Sequence, residues 1–277
     1  TPTEYKIQFT PKTHANMPAP PGSQYSVTSR VVSWTGTSPQ SVTDTADTTV
    51  TVDNLSPGDV TAATASGSGT QTSLAWTNPA DADLSKVVVL RRQGSAVTDT
   101  PVEGMAYTVG NTLGSSTVAC VVTAPTASCT DTGLTSGATY HYEVFTQDAN
   151  GNYSTPGVTP TGSPVTLPLT TLATGTDPSN ASLAPGGAAT MADAFTFQTA
   201  TGTDTITGMT LSLGTGVAAG LSLVEITDSA GTTVYGSVSS PATDTPTISL
   251  TTSITATTSA TTYKVRVTPK SHAGMPA

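Results

Sequence analysis

Apolar residues recur along this chain in short runs with a period of two. Phe195 and Phe197 alternate with Thr196 and Gln198, and Met209, Leu211 and Leu213 alternate with Thr210 and Ser212. Tyr263, Val265 and Val267 alternate in the same way with Lys264 and Arg266. That period puts successive side chains on opposite faces, as a half-buried β-strand does. Further strands are predicted over 72–76, 87–90, 117–122, 140–146, 222–227, 232–235 and 247–250, and over 25–34 and 48–52. Asp228, Ser229, Ala230 and Gly231 supply a hairpin turn between two of them. No stretch carries an apolar stripe at helical spacing over three turns, and Gly and Pro punctuate the runs. The pattern predicts an all-β protein.

Composition sharpens that reading. Thr, Ser, Ala, Gly and Pro dominate the 277 residues, which suffice for two domains of ordinary size. Charged residues make up 10% and hydrophobic ones 35%, a balance that opposes disorder. Nine Lys and Arg against 18 Asp and Glu leave a net charge of −9 with no basic run. Nucleic acid and anionic membranes need clustered cations, so neither is an expected partner. No 18-residue apolar run exists to span a membrane as a helix. Cys120 lies in the 117–122 strand, and Cys129 comes after a Pro-containing turn. Two antiparallel strands so joined can bring the sulfurs together, so a disulfide and an oxidising, extracellular setting are expected.

The two ends of the chain share a motif. Residues 5–19 and 263–277 are identical at 10 of 15 positions, at an offset of 258 residues. Ile7 answers to Val265, Phe9 to Val267 and Thr13 to Ser271. In its first occurrence the motif continues into Pro20, Pro21, Gly22 and the strand from Tyr25. The expected organisation is therefore a complete middle domain over 57–160, flanked by two parts of a second kind of domain. Residues 1–54 would be the C-terminal part of one sandwich whose first half lies upstream. Residues 165–277 would be the N-terminal part of the next copy. Alternatively, the N-terminal strands of one subunit complete the preceding subunit by strand addition. Either arrangement runs head-to-tail.

The middle segment resembles a fibronectin type III domain. Residues 72–79, with Trp76, look like strand B and its core tryptophan, and 86–92 look like strand C. Residues 134–140 are similar to the tyrosine-corner segment, with Ser136 where Pro is common, and 140–146 fit strand F. Residues 148–154 are like the F–G turn of many bacterial members. The cysteine pair and the long stretch between strands C and E depart from the simplest pattern. The linker from Asp53 to Asp59 looks like those joining Ig-like repeats in large bacterial surface proteins. The resemblance implies tandem Ig-like or fibronectin type III-like β-sandwiches, a fold that by itself names no function.

No catalytic constellation is legible. There is no G-x-S-x-G elbow, no H-E-x-x-H and no phosphate-binding glycine loop, so no enzyme is expected. His14 with Met17, and His272 with Met275, are soft-ligand pairs of the kind copper or haem would use, but each sits in a Pro-flanked loop where Met more often plugs a core edge. Calcium is the better metal expectation. Asp81 and Asp83 come after strand B, and Asp148, Asn150 and Asn152 lie in the F–G turn. All offer hard oxygens, and the resembled fold places the two loops at one end of the sandwich. Asp53 and Asp59 are weaker candidates across the linker; local turn stabilisation is the plainer role for every one of these side chains. The functional expectation is a structural repeat of a secreted extracellular fibre, surface stalk or adhesin of bacterial type, partnered by copies of itself and by a glycan or cell-surface ligand. The rivals are a spacer or carbohydrate-binding region of a polysaccharide-degrading enzyme, and the scaffold of an electron-transfer filament.

Overall fold

The computed structural model describes residues 3–38 and 44–276. Ala277, the last position of the second motif copy, lies outside them, as do residues 1, 2 and 39–43 of the first end segment. The chain is all-β, and its helical pieces among the described residues are three short 3-10 turns. Contacts divide it into two compact units. One comprises Thr1–Ser66, Ser73–Asp131 and Tyr140–Val165; the other comprises Gly67–Thr72, Thr132–Thr139 and Thr166–Ala277. Residues 1–54 thus group with the bulk of the middle segment.

In the first unit, β1 (Gln24–Ser29) and β2 (Thr48–Asp53) form a separate two-stranded ribbon. Next along the chain come strands β3 (Thr61–Ser68), β4 (Gln71–Thr77), β5 (Leu84–Gln93), β6 (Thr112–Leu113), β7 (Ser116–Thr123), β8 (Ser128–Asp131), β9 (Thr139–Asp148) and β10 (Val165–Thr166). They make a three-stranded sheet, β3-β4-β8, and a five-stranded sheet, β10-β9-β5-β7-β6. Alternation along β4 buries Thr72, Leu74 and Trp76. Trp76 is core, and its indole N–H donates to Asn78 Oδ1 at 2.8 Å, which satisfies its polar edge. The Cys120–Cys129 disulfide forms and ties β7 in one sheet to β8 in the other.

All of Val87, Val88, Val89 and Leu90 are buried, so both faces of β5 are covered. On one face Val88 and Leu90 pack with Val118, Phe145 and Tyr153, and Val97 and Tyr107 from the long stretch after β5 close over them. That stretch, anomalous for the resembled family, is what lets a four-residue apolar run exist in an antiparallel sheet. At the rim of the sheet Asp131 is buried, held by Arg91 at 2.6 Å and by the Tyr142 hydroxyl at 3.0 Å.

The second unit holds β11 (Thr170–Thr174), β12 (Thr190–Thr199), β13 (Asp204–Thr210), β14 (Leu221–Asp228), β15 (Val234–Ser239), β16 (Thr247–Ala256) and β17 (Thr261–Pro269). They form one antiparallel sheet in the order β11-β12-β17-β14-β15-β16-β13. A single residue pair, Gly236 with Leu250, joins β15 to β16, so the sheet folds over there like a half-barrel. Its core contains Phe195, Phe197, Val224, Ile226, Ile248, Ile254, Tyr263 and Val265. Phe195, Phe197 and Tyr235 all contact the Tyr263 ring, with centroids 5.4–6.0 Å away. A cavity of about 460 Å³ remains open beside this core, lined by Leu211, Leu213, Val217, Leu221, Val265 and Val267 among others.

The two motif copies adopt different structures. Residues 263–269 lie in β17, hydrogen-bonded to β12 on one side and β14 on the other. Residues 5–11 pair with no strand. Tyr5, Ile7 and Phe9 are 87%, 52% and 41% exposed, whereas Tyr263 and Val265 are each 4% exposed. The ribbon after the first copy is amphipathic. Tyr25 opposes Val52 and Val27 opposes Val50, and alternation puts these four on one face. On the other face the hydroxyls of Ser26 and Thr51, and of Thr28 and Thr49, meet across the strands. The strand expected over 25–34 ends at Ser29.

Candidate metal centre

The first unit gathers three carboxylates that are far apart in sequence. Asp53 ends β2, Asp83 precedes β5 and Asp148 ends β9. One oxygen from each lies within 4.8 Å of the other two. Among the described residues this is the one group of three or more His, Cys, Asp or Glu side chains so placed. The turn after β9 fixes the deepest member. Asp148 is buried, its Oδ1 accepting the backbone N–H of Asn150 at 2.8 Å and of Asn152 at 2.9 Å. Gly151 carries φ +92° between them, a left-handed conformation that glycine enters without a Cβ penalty. Asn150 Nδ2 donates to Asp53 Oδ2 at 2.9 Å, and the Ala149 N–H donates to the Asp83 carbonyl at 2.9 Å, so turn, linker and β5 entry are laced together.

The electrostatics are unfavourable for three bare anions. Burial raises the Asp83 carboxyl above its usual range, and the charges of Asp148 and Asp53 push it further in the same direction. No Lys or Arg ion pair among the described residues involves any of the three. Asn152 is 1% exposed, and its Nδ2 reaches Asp148 Oδ2 at 2.7 Å and the Asp53 carbonyl oxygen at 3.5 Å. Its Oδ1 is buried with no hydrogen-bond partner.

Of the residues singled out from sequence, Asp83, Asp148, Asn150 and Asn152 converge here. Asp81 does not join them: its Oδ2 accepts the Gly58 N–H at 2.7 Å, a turn-stabilising role. Asp53, a weaker candidate because it lies across a linker, stands in the centre. Asp59 is exposed outside the group. Glu103 had no sequence signal. It sits in the long stretch after β5, accepts the Tyr153 N–H through both oxygens, and is shifted upward chiefly by burial.

The scan against protein-family models finds no match, and the search of curated proteins finds no similar one. Functional reading therefore rests on the residues. The His14 ring packs on the backbone of Gly104, where a Cβ would stand 2.6 Å from Nδ1. Its neighbour Met17 lines a shallow hollow with Phe9, Val27 and Val52. Met275 is partly exposed beside Gly220. These surroundings are those of loop packing rather than of a converging soft-ligand set. The carboxylate group holds no nucleophile–base pair, so its chemistry is that of hard oxygen donors.

Proposed function

We propose that this chain is a non-enzymatic structural repeat of an extracellular fibre or surface stalk, in which successive copies join head-to-tail through β-sandwich completion. One observation carries the reading: a single motif is a buried central strand in one copy and an unpaired, exposed segment in the other. Soon after the first copy, β1 and β2 build an amphipathic ribbon with Tyr25, Val27, Val50 and Val52 on one face. Beside the strand of the second copy lies a trough whose lining is mostly apolar, with Val265 and Val267 of that strand in it and Asp193 and Ser212 as its polar members. A ribbon that succeeds the motif and a trough that borders it are matched in place and in chemistry. The occupant of the trough is the β1–β2 ribbon of another copy, whether that copy is a separate chain or the next repeat of one polypeptide. Such heterologous contacts generate a rod where the rotation between copies does not close a ring.

The middle sandwich, with its core Trp76 and bridged sheets, serves as the fibronectin type III-like spacer between joints. The disulfide and the acidic, Lys-poor surface suit a secreted protein. A carbohydrate-binding reading would want an exposed aromatic platform; here Tyr5, Phe9, Tyr25 and Trp34 are exposed, but all belong to the end segment with the unpaired motif copy and the ribbon.

Sedimentation velocity over a concentration series tests this. The wild-type chain is expected to form a ladder of oligomers. Tyr25→Asp on the ribbon and Leu213→Asp in the trough should each abolish it. Mixed together, the two variants should form a dimer and stop, since only one intact ribbon–trough pair remains. A wild-type chain that stays monomeric at every concentration, or variants that associate like wild type, would overturn the joint.

A further inference from the structure

We propose that Asp53, Asp83, Asp148 and Asn152 form a calcium site that fastens the end of the β1–β2 ribbon to the loop end of the middle sandwich. This goes beyond the fibre reading and does not depend on it.

The first support is the spacing. Two oxygens bound to one calcium ion at about 2.4 Å can be no more than about 4.8 Å apart. One oxygen each from Asp53, Asp83 and Asp148 meets that limit pairwise. The second support is independent of the carboxylates. Asn152 Oδ1 is buried without a partner, an arrangement that costs the group its full desolvation. Nδ2 is the end of the amide that faces the carboxylates, and a half-turn of the Asn152 amide exchanges its nitrogen and oxygen at the expense of those two hydrogen bonds. Oδ1 then stands where Nδ2 stands, beside Asp148 Oδ2 and the Asp53 carbonyl oxygen. Three oxygens around one point repel each other unless a cation lies among them. With a cation they become ligands, and the donor set grows to three carboxylates, one amide oxygen and one carbonyl oxygen, with water completing the 6–8 that calcium takes.

The all-oxygen donors exclude the nitrogen and sulfur preferences of zinc and copper. Donors drawn from three separate segments, one of them a linker, suit calcium's adaptable shell better than the strict octahedron of magnesium. The charges also balance: a divalent ion offsets most of three anions that no Lys or Arg pairs with among the described residues. Because Asp53 closes β2, an ion here holds the ribbon on the sandwich.

Calcium titration of the full chain by calorimetry, at constant ionic strength, is the test. One ion per chain is expected, with a dissociation constant in the range of about 10⁻⁴–10⁻³ M found for extracellular modules. Asp83→Asn should weaken binding by about tenfold or more. Asp83 is half-buried in the turn before β5 and Asn matches it in shape, so this variant should fold. Asp81→Asn removes an equal charge two residues away and should bind as wild type. Deuterium uptake at 48–55 should fall on adding calcium to wild type and not to Asp83→Asn. No binding by wild type, or equal weakening in the Asp81 and Asp83 variants, would overturn the site. The second outcome would mean a diffuse acidic surface only. Neither result bears on the ladder of oligomers in the ribbon–trough test, so the two ideas fail separately.

Discussion

The two copies of the motif agree in one part and differ in the other. Residues 14–16 and 272–274 fold into the same 3-10 turn, and the N–H of Met17 and of Met275 closes it on the carbonyl of His14 and of His272. The tyrosine-led stretch before the turn is a central strand in one copy and unpaired in the other. A turn is satisfied by hydrogen bonds within four residues, so its sequence suffices wherever it occurs. A strand must find donors and acceptors on neighbours distant in sequence, and without them the same residues stay exposed. The 263–269 copy has β12 and β14 beside it; the 5–11 copy has no such frame among the described residues.

The largest expected effect breaks this comparison at its apolar positions. Val265→Asp should destabilise the second unit by about 4 kcal/mol, because it buries a charge with no partner. The corresponding Ile7→Asp should change stability by less than about 0.5 kcal/mol in the monomer, as exposed substitutions do. Denaturant melts at concentrations below self-association read both. Equal costs would show that residues 5–11 are packed like 263–269.

Next in size is the bridge that only the first unit possesses. Reducing Cys120–Cys129 should cost that unit about 2–3 kcal/mol, the loop entropy of so short a ring. The second unit, which has no cysteine, should melt unchanged. A shift in both transitions would show that the units do not unfold independently.

The smallest effect concerns acid. In the second unit Asp228 is held down to about 2, chiefly by the Thr232 hydroxyl, with backbone N–H groups of Thr232 and Thr233 adding to it. A depressed carboxylate contributes stability that is present above the unfolded value of 3.8 and is lost as pH falls towards about 2. A melt series across that window should show a small loss in the second unit, and Asp228→Ala should flatten it. An unchanged slope in the variant would assign the loss to other carboxylates.

Much of the fold was legible because strand alternation is a local pattern. The runs at 72–76, 87–90, 117–122, 194–199 and 222–227 all lie within strands, and the 228–231 turn stands where its residues place it, closed by the Gly231 N–H on the Asp228 carbonyl. The errors have physical causes. Residues 209–213 alternate throughout, yet β13 stops at Thr210. Leu211 donates to the Pro246 carbonyl, and proline has no N–H to return, so the reciprocal pair is lost there and only a one-way bond from the Leu213 N–H to the Asp244 carbonyl follows. The strand expected from Thr232 starts at Val234, because Thr232 is engaged by Asp228. The candidate metal centre was legible for Asp83, Asp148, Asn150 and Asn152, which share a loop end in the resembled fold. Asp53 depended on how the linker returns, and Asp81 differs from Asp83 only by the direction its side chain takes, which no spacing discloses.

The bridge between β7 and β8 has a mechanical consequence. Pulled from its ends, a sandwich yields by letting its strands peel apart and its chain straighten. Cys120 and Cys129 are nine positions apart, and the segment between them cannot straighten while the bridge holds. At about 3.3–3.6 Å per residue, roughly 25 Å of length is withheld from the extended chain. The two sheets also stay joined after their hydrogen bonds part. A single-molecule trace of this chain in reductant should lengthen by that increment, so its slack under tension is set by the redox state of its surroundings.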